Sequence, residues 1–126
     1  MLIRILAIGI GGGSGAVLRY MIQEVLPSPI FPWSTLLINI AGSFLLGGVT
    51  GYFMNRNRGE ILQLALGTGL CGGFTTMSTF SAEAVALMRE SILLSGLYIG
   101  CTVLGGLTAY FIGQHVFLGR RSGERG

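Results

Sequence analysis

Of 126 residues, 51% are hydrophobic and only 10% charged, against about 25% charged in ordinary soluble domains, so the chain reads as an integral membrane protein. Eight arginines and five acids leave a formal charge of +3 with no block of like charge, which excludes a nucleic-acid footprint. The sequence offers no nucleophile–base pair, metal-ligand spacing or phosphate loop, so no enzyme is expected, and Cys71 and Cys101 lie in apolar segments where a lone thiol behaves as a small hydrophobe.

A hydrocarbon core about 30 Å thick takes roughly 20 apolar residues in helix. Four segments qualify, at about 2–26, 32–54, 61–88 and 92–118, and they predict a single transmembrane domain over residues 1–126. The connections Pro27–Phe31, Asn55–Glu60 and Arg89–Ser91 are short, which makes consecutive spans antiparallel. The apolar run before the first glycines is at the short limit for a signal peptide, and three more apolar segments follow, so it is read as the first span.

Within that span, Gly11-x-Gly13-x-x-Ala16 formally matches a dinucleotide-binding fingerprint, but the expected acid about 20 residues on is absent from Phe31 to Leu37. The glycines instead suit close approach of another helix, and Arg19 either snorkels to the interface or lines a vestibule. The second span places Asn39, Ser43, Gly47 and Gly51 at four-residue spacing on one face, with Thr35 extending the row. That face is a contact surface, on which Asn39 either bridges helices or lines a pore.

The third segment is the unusual one. From Gly67 to Glu83 four glycines (Gly67, Gly69, Gly72, Gly73) and five hydroxyls (Thr75, Thr76, Ser78, Thr79, Ser81) interrupt apolar sequence. Non-helical backbone at membrane depth persists only where protein buries it or water lines it, so a break here points to an ion or substrate path. The competing reading is a glycine-rich helix contact whose hydroxyls bond back to their own helix. Met77 and Phe80 sit three apart on one face after the break, where the positive edge of the Phe80 ring can attract an anion. Glu83 is the acid inside a span and therefore a functional candidate. In the fourth segment, Gly96, Gly100, Gly105, Gly106 and Gly113 are read as packing positions and Tyr98 and Thr102 as facing a polar pathway; Tyr110 and His115 lie nearer its end.

Three stretches, Gly11-Gly12-Gly13-x-Gly15-Ala16-x-x-Arg19-Tyr20, Asn39-x-x-Gly42-Ser43-Phe44 and Gly72-Gly73-Phe74-Thr75-Thr76-Met77-Ser78-Thr79-Phe80-Ser81-x-Glu83, together resemble the Fluc/CrcB family of small fluoride channels. The resemblance implies an all-α membrane protein of four transmembrane helices, the third broken, assembled as an antiparallel, dual-topology homodimer. It implies fluoride pathways along the subunit interface, with Phe80 as the aromatic element and Asn39, Ser78, Thr79 and Thr102 as the polar row, joined by Thr35, Tyr98, Glu83 and Arg19. It also implies a structural sodium ion at the dimer centre on the backbone carbonyls of Gly72 and Thr75. The implied function is passive export of fluoride across a bacterial inner membrane; the alternative is a proton-coupled exporter of the small multidrug type.

Met77 departs from the family pattern, which has phenylalanine there, and a thioether has no ring edge to offer an anion. Charge placement opposes the implied dual topology. Arg4, Arg56, Arg58, Arg120, Arg121 and Arg125 fall on one side and Arg19 and Arg89 on the other, six against two, which by the positive-inside rule favours one orientation with cytoplasmic termini. Without the tail arginines the count is three against two, close to no bias.

Overall fold

A computed structural model describes residues 1–27, 30–54 and 59–124, with side chains described as far as residue 118. Part of the first expected connection and residues 55–58 of the second, with Arg56 and Arg58, lie outside the described residues, as do Arg125 and the side chains of Arg120 and Arg121. The described chain is all-helical, with no strand among the described residues. Its elements are α1 (Leu2–Val25), α2 (Trp33–Phe53), α3 (Glu60–Gln63), a π-helical stretch Leu64–Cys71, α4 (Gly72–Phe74), α5 (Ser78–Glu90) and α6 (Ile92–Glu124).

Three of these helices, at Leu2–Val25, Trp33–Phe53 and Ile92–Leu118, are long and apolar enough to cross a membrane. The third expected segment is present as α3 through α5, and it is not one rod. Helical backbone runs from Glu60 to Phe74, leaves the helix at Thr75, whose ψ is 159°, and resumes at Ser78. The break is therefore narrower than the glycine and hydroxyl content suggests: it occupies Thr75–Met77, while Ser78, Thr79, Ser81 and Glu83 belong to a regular helix. The glycine-rich part before it stays helical but widens to π geometry over Leu64–Cys71.

Backbone contact through glycine joins the helices in two parallel pairs. A Cβ at Gly11 would fall on the Ala65 carbonyl oxygen, one at Gly15 on that of Leu70, and one at Gly73 on that of Gly12, so α1 lies directly against the backbone of residues 65–74. A Cβ at Gly47 would likewise meet the Tyr110 carbonyl, one at Gly51 that of Gln114, and one at Gly113 that of Phe44, so α2 and α6 share a second seam. Gly105 and Gly106 pack beside the same seam, against Ile40 and Ser43. Gly9, Gly13, Gly96 and Gly100 meet nothing within 4 Å, which corrects the expectation that the glycines of the first and fourth segments are uniformly packing positions.

A single residue, Ser91, turns the chain from α5 into α6. Its N–H donates to the Leu87 carbonyl at 2.7 Å, closing α5, and its Oγ accepts the Leu94 N–H at 3.4 Å, opening α6. This reversal brings Leu36, Ala84, Leu87 and Tyr98 into one buried cluster, with Phe31, Ile40, Phe80, Leu94 and Ile99 packed around it. The outer surface stays apolar: only 11% of the apolar window of α1 and 17% of that of α6 is buried, leaving Leu2, Ile3, Ile10, Val17, Leu104 and Phe111 exposed, as a lipid-facing surface requires.

Arg4 and Glu60 form an ion pair at 3.2 Å with side chains 55% and 62% exposed, which puts the starts of α1 and α3 at the same end of the molecule. Exposed pairs contribute little. Arg4→Ala is expected to change the free energy of unfolding by less than about 1 kcal/mol, read as a thermal midpoint close to that of the parent protein.

Candidate functional site

The site is built around the break. Asn39, on α2, reaches across to the backbone of Thr76 and grips it on both edges: Asn39 Nδ2 donates to the Thr76 carbonyl at 3.0 Å, and the Thr76 N–H donates to Asn39 Oδ1 at 2.9 Å. A residue outside the helices thus has both its N–H and its carbonyl satisfied by one amide side chain, which answers the cost of breaking a helix in an apolar medium. Bridging helices, one of the two roles open to Asn39 from the sequence, is seen directly. The break is further fixed by its own hydroxyls. Thr75 Oγ1 donates back to the Cys71 carbonyl at 2.9 Å, whereas Thr76 Oγ1 accepts the Thr79 N–H at 3.2 Å and so caps the start of α5.

Beside the break lies an open groove. Its walls are Asn39, Gly42, Ser43 and Leu46 of α2, residues 67–77 in part, Phe80 of α5, and Thr102, Val103, Gly106, Leu107 and Tyr110 of α6. Met77 and Phe80 both line it, although Met77 is the last residue of the break and not on a helix face after it; Met77 is 73% exposed and the Phe80 ring rests on Tyr98 at a centroid distance of 5.2 Å. Gly72 and Thr75, the residues expected to offer carbonyls to sodium, line the same groove. So does Thr102, whose hydroxyl donates to the Tyr98 carbonyl at 2.7 Å, while Ser43 donates to the Asn39 carbonyl at the same distance. Ser78 is exposed and Thr79 half-buried on the first turn of α5, and neither is a groove wall.

A second cluster sits one turn further on. The Glu83 carboxylate accepts the Thr35 hydroxyl at 2.9 Å and the Tyr98 phenol at 3.3 Å, and both donors are fully buried. Glu83 also lines a separate cavity with Gln23, Ile30, Pro32, Ser34, Glu90 and Leu94, so its carboxylate stands between the buried Tyr98 and open space. The aromatic stack continues outward from Tyr98 to Phe31, edge to face at 5.6 Å. Arg19 is half-buried on α1, and no bond from its guanidinium joins it to this cluster among the described residues. The expected site residues therefore divide. Asn39, Met77, Phe80, Thr102, Gly72 and Thr75 share the groove; Thr35, Tyr98 and Glu83 form the polar cluster behind Phe80; Arg19, Ser78 and Thr79 stand apart.

Thr76 is the residue that sequence reasoning under-weighted. Its buried backbone and hydroxyl hold the break at both ends, and the signal available was a hydroxyl three residues before Thr79, the spacing of a helix cap. No group of three or more His, Cys, Asp or Glu able to hold a metal occurs among the described residues.

Comparison with known proteins follows the same residues. The family model described as CrcB-like protein, Camphor Resistance (CrcB), matches residues 6–114, from α1 through most of α6. A Bacillus subtilis protein named Fluoride-specific ion channel FluC 2 is 47% identical over 115 residues, covering 91% of this chain and 86% of its own. A Bacillus licheniformis protein of the same name is 40% identical over 121 residues, with 95% and 90% covered. The Fluoride-specific ion channel FluC of Novosphingobium aromaticivorans is 42% identical, with 89% and 94% covered. A match that spans the glycine seam of α1, the Asn39 clamp and the broken third segment places this chain in the CrcB family.

Proposed function

We infer that this protein is a fluoride-specific ion channel, passing fluoride passively across the bacterial inner membrane as an antiparallel, dual-topology homodimer. The observation that carries the reading is the break at Thr75–Met77, held open by Asn39 and flanked by a groove whose walls combine Phe80 and Tyr110 with several small or hydroxylic residues. A small, strongly hydrated anion needs a narrow path whose donors and ring edges replace water. Phe80 offers its ring to the groove while tilted against Tyr98, and Asn39, Met77 and Thr102 line the same groove. Thr35, Tyr98 and Glu83 form the polar continuation behind Phe80, and on the family pattern Ser78 and Thr79 join the polar row, with Arg19 as a further pathway residue. Nothing in this chemistry makes or breaks a covalent bond, and the protein is not an enzyme.

A groove open along one face of a single chain becomes a closed path when a second copy covers it. The apolar outer surface fits four crossings in lipid, with residues 60–90 as the broken one. The groove-lining Gly72 and Thr75 fit a sodium ion: peptide oxygens freed by a break are hard ligands, and the ion would supply a fixed positive charge between two facing breaks. The proton-coupled alternative is weaker, since the Glu83 carboxylate is engaged by Thr35 and Tyr98 and opens toward Glu90 at the end of α5.

Fluoride efflux from liposomes that proceeds without an opposing proton gradient tests the channel reading. The orientation has its own test, one-sided labelling of a cysteine added to the C-terminus of a chain lacking Cys71 and Cys101. About half of the sites are expected to react, and complete labelling contradicts the antiparallel dimer. Met77→Phe restores the ring that the family pattern has at this exposed groove position and is expected to raise fluoride flux several-fold; equal rates would show the second ring to be dispensable.

A further inference from the structure

In a continuous helix the Thr76 and Thr79 N–H groups would close on the carbonyls of Gly72 and Thr75, four residues back. Here both are taken elsewhere, Thr76 N–H by Asn39 Oδ1 at 2.9 Å and Thr79 N–H by Thr76 Oγ1 at 3.2 Å. The neighbouring acceptors are accounted for differently. The Cys71 carbonyl takes both the N–H and the hydroxyl of Thr75, the Thr76 carbonyl takes Asn39 Nδ2, and Gly73 and Phe74 are not groove walls. On the groove side this leaves Gly72 and Thr75, i and i+3, as the residues whose carbonyls have lost their helical donors.

We propose that Asn39 and Thr76 are positioning residues for a cation site: by drawing two N–H groups away, their side chains keep the Gly72 and Thr75 carbonyls open for a sodium ion. The proposal rests on the reading that sodium binds at the break, and it adds the cause of that site's availability. Without the two acceptors, the N–H groups regain a reason to return to their helical partners and the carbonyls close. Asn39 thereby acts through the peptide it grips, in addition to any part it plays as a groove wall.

The test is the thermal unfolding of the purified full-length protein titrated with sodium chloride against N-methylglucamine chloride at constant ionic strength. The parent protein is expected to rise in midpoint with sodium. Thr76→Val, which keeps shape and removes the Oγ acceptor, is expected to need roughly tenfold more sodium for the same rise, and Thr76→Ser to return to within about twofold of the parent. A flat response in the parent would refute the sodium reading itself. A sodium-responsive parent with Thr76→Val titrating identically would overturn the positioning role alone. Should Thr76→Val fold only in high sodium, that supports the proposal. If it is unfolded at every sodium concentration, Asn39→Leu decides in the same titration: an unshifted midpoint, or a chain likewise unfolded throughout, counts against the proposal, because both side chains would then be holding the fold and not the site.

Discussion

Gly47→Ala is expected to cost about 3 kcal/mol or more of stability, or to yield no folded protein at all. The added methyl would meet the Tyr110 carbonyl oxygen and carbon, which are backbone atoms of α6 and have no rotamer by which to move aside. Relief requires separating α2 from α6, and Gly51 and Gly113 lie on the same seam against Gln114 and Phe44, so the separation propagates along both helices. Gly9→Ala is the matched comparison. It adds the same methyl where nothing lies within 4 Å, and its expected effect is a gain of up to about 1 kcal/mol from helix propensity. Thermal unfolding of the two variants in the same detergent separates them, and equal midpoints would contradict the α2–α6 seam.

Asn39→Leu is expected to lose about 2–5 kcal/mol and to abolish fluoride flux. The substitution preserves bulk but strands the N–H and the carbonyl of Thr76, a residue 7% exposed, and each buried peptide group left without a partner costs about 1–3 kcal/mol. The break then has no anchor on α2, and the groove residues on either side of it, Gly72 and Phe80, lose their fixed relation. Denaturation midpoint and liposome flux, measured on the same preparation, check both halves. A stable but inactive variant would assign Asn39 to the pathway alone; a stable and active one would remove the clamp from the account.

The elements were largely readable in advance, because apolar runs of membrane length leave few choices for where a helix starts and stops. Residues 2–25, 33–53 and 92–118 differ from the expected spans by a residue or two at most, although α6 runs on to Glu124. The presence of a break in the third segment was also legible, from glycines followed by hydroxyls. Its position was not. Gly67, Gly69 and Gly72 look as disruptive as Thr75–Met77, yet they stay helical, in part as a π turn; Gly69 lies against the α1 backbone and Gly67 against Val49 and Leu46 of α2, while nothing lies within 4 Å of Gly72.

Of the features weighed for this stretch, the structure shows both a break and a hydroxyl bonding back to its own helix. Thr75 bonds back to its own helix while Thr76 caps the next, a distinction between adjacent identical residues that only the path of the backbone decides. Long-range partners were the least legible. That Asn39 bonds to a peptide 37 positions on, and that Thr35 and Tyr98 converge on Glu83, follows from how α2, α5 and α6 pack, and single-chain periodicity marks only the face involved. The same limit applies to the glycines of α1, where Gly9 and Gly11 are indistinguishable by type and opposite in environment.

The most direct measurement is halide efflux from liposomes containing the purified protein, with potassium and valinomycin setting the voltage and no proton gradient imposed. Rapid fluoride release that follows the membrane potential is expected, with chloride release at the level of empty liposomes and loss of the fluoride signal in Phe80→Ala. Fluoride release that requires an opposing proton gradient, or chloride released as readily as fluoride, would contradict the channel reading.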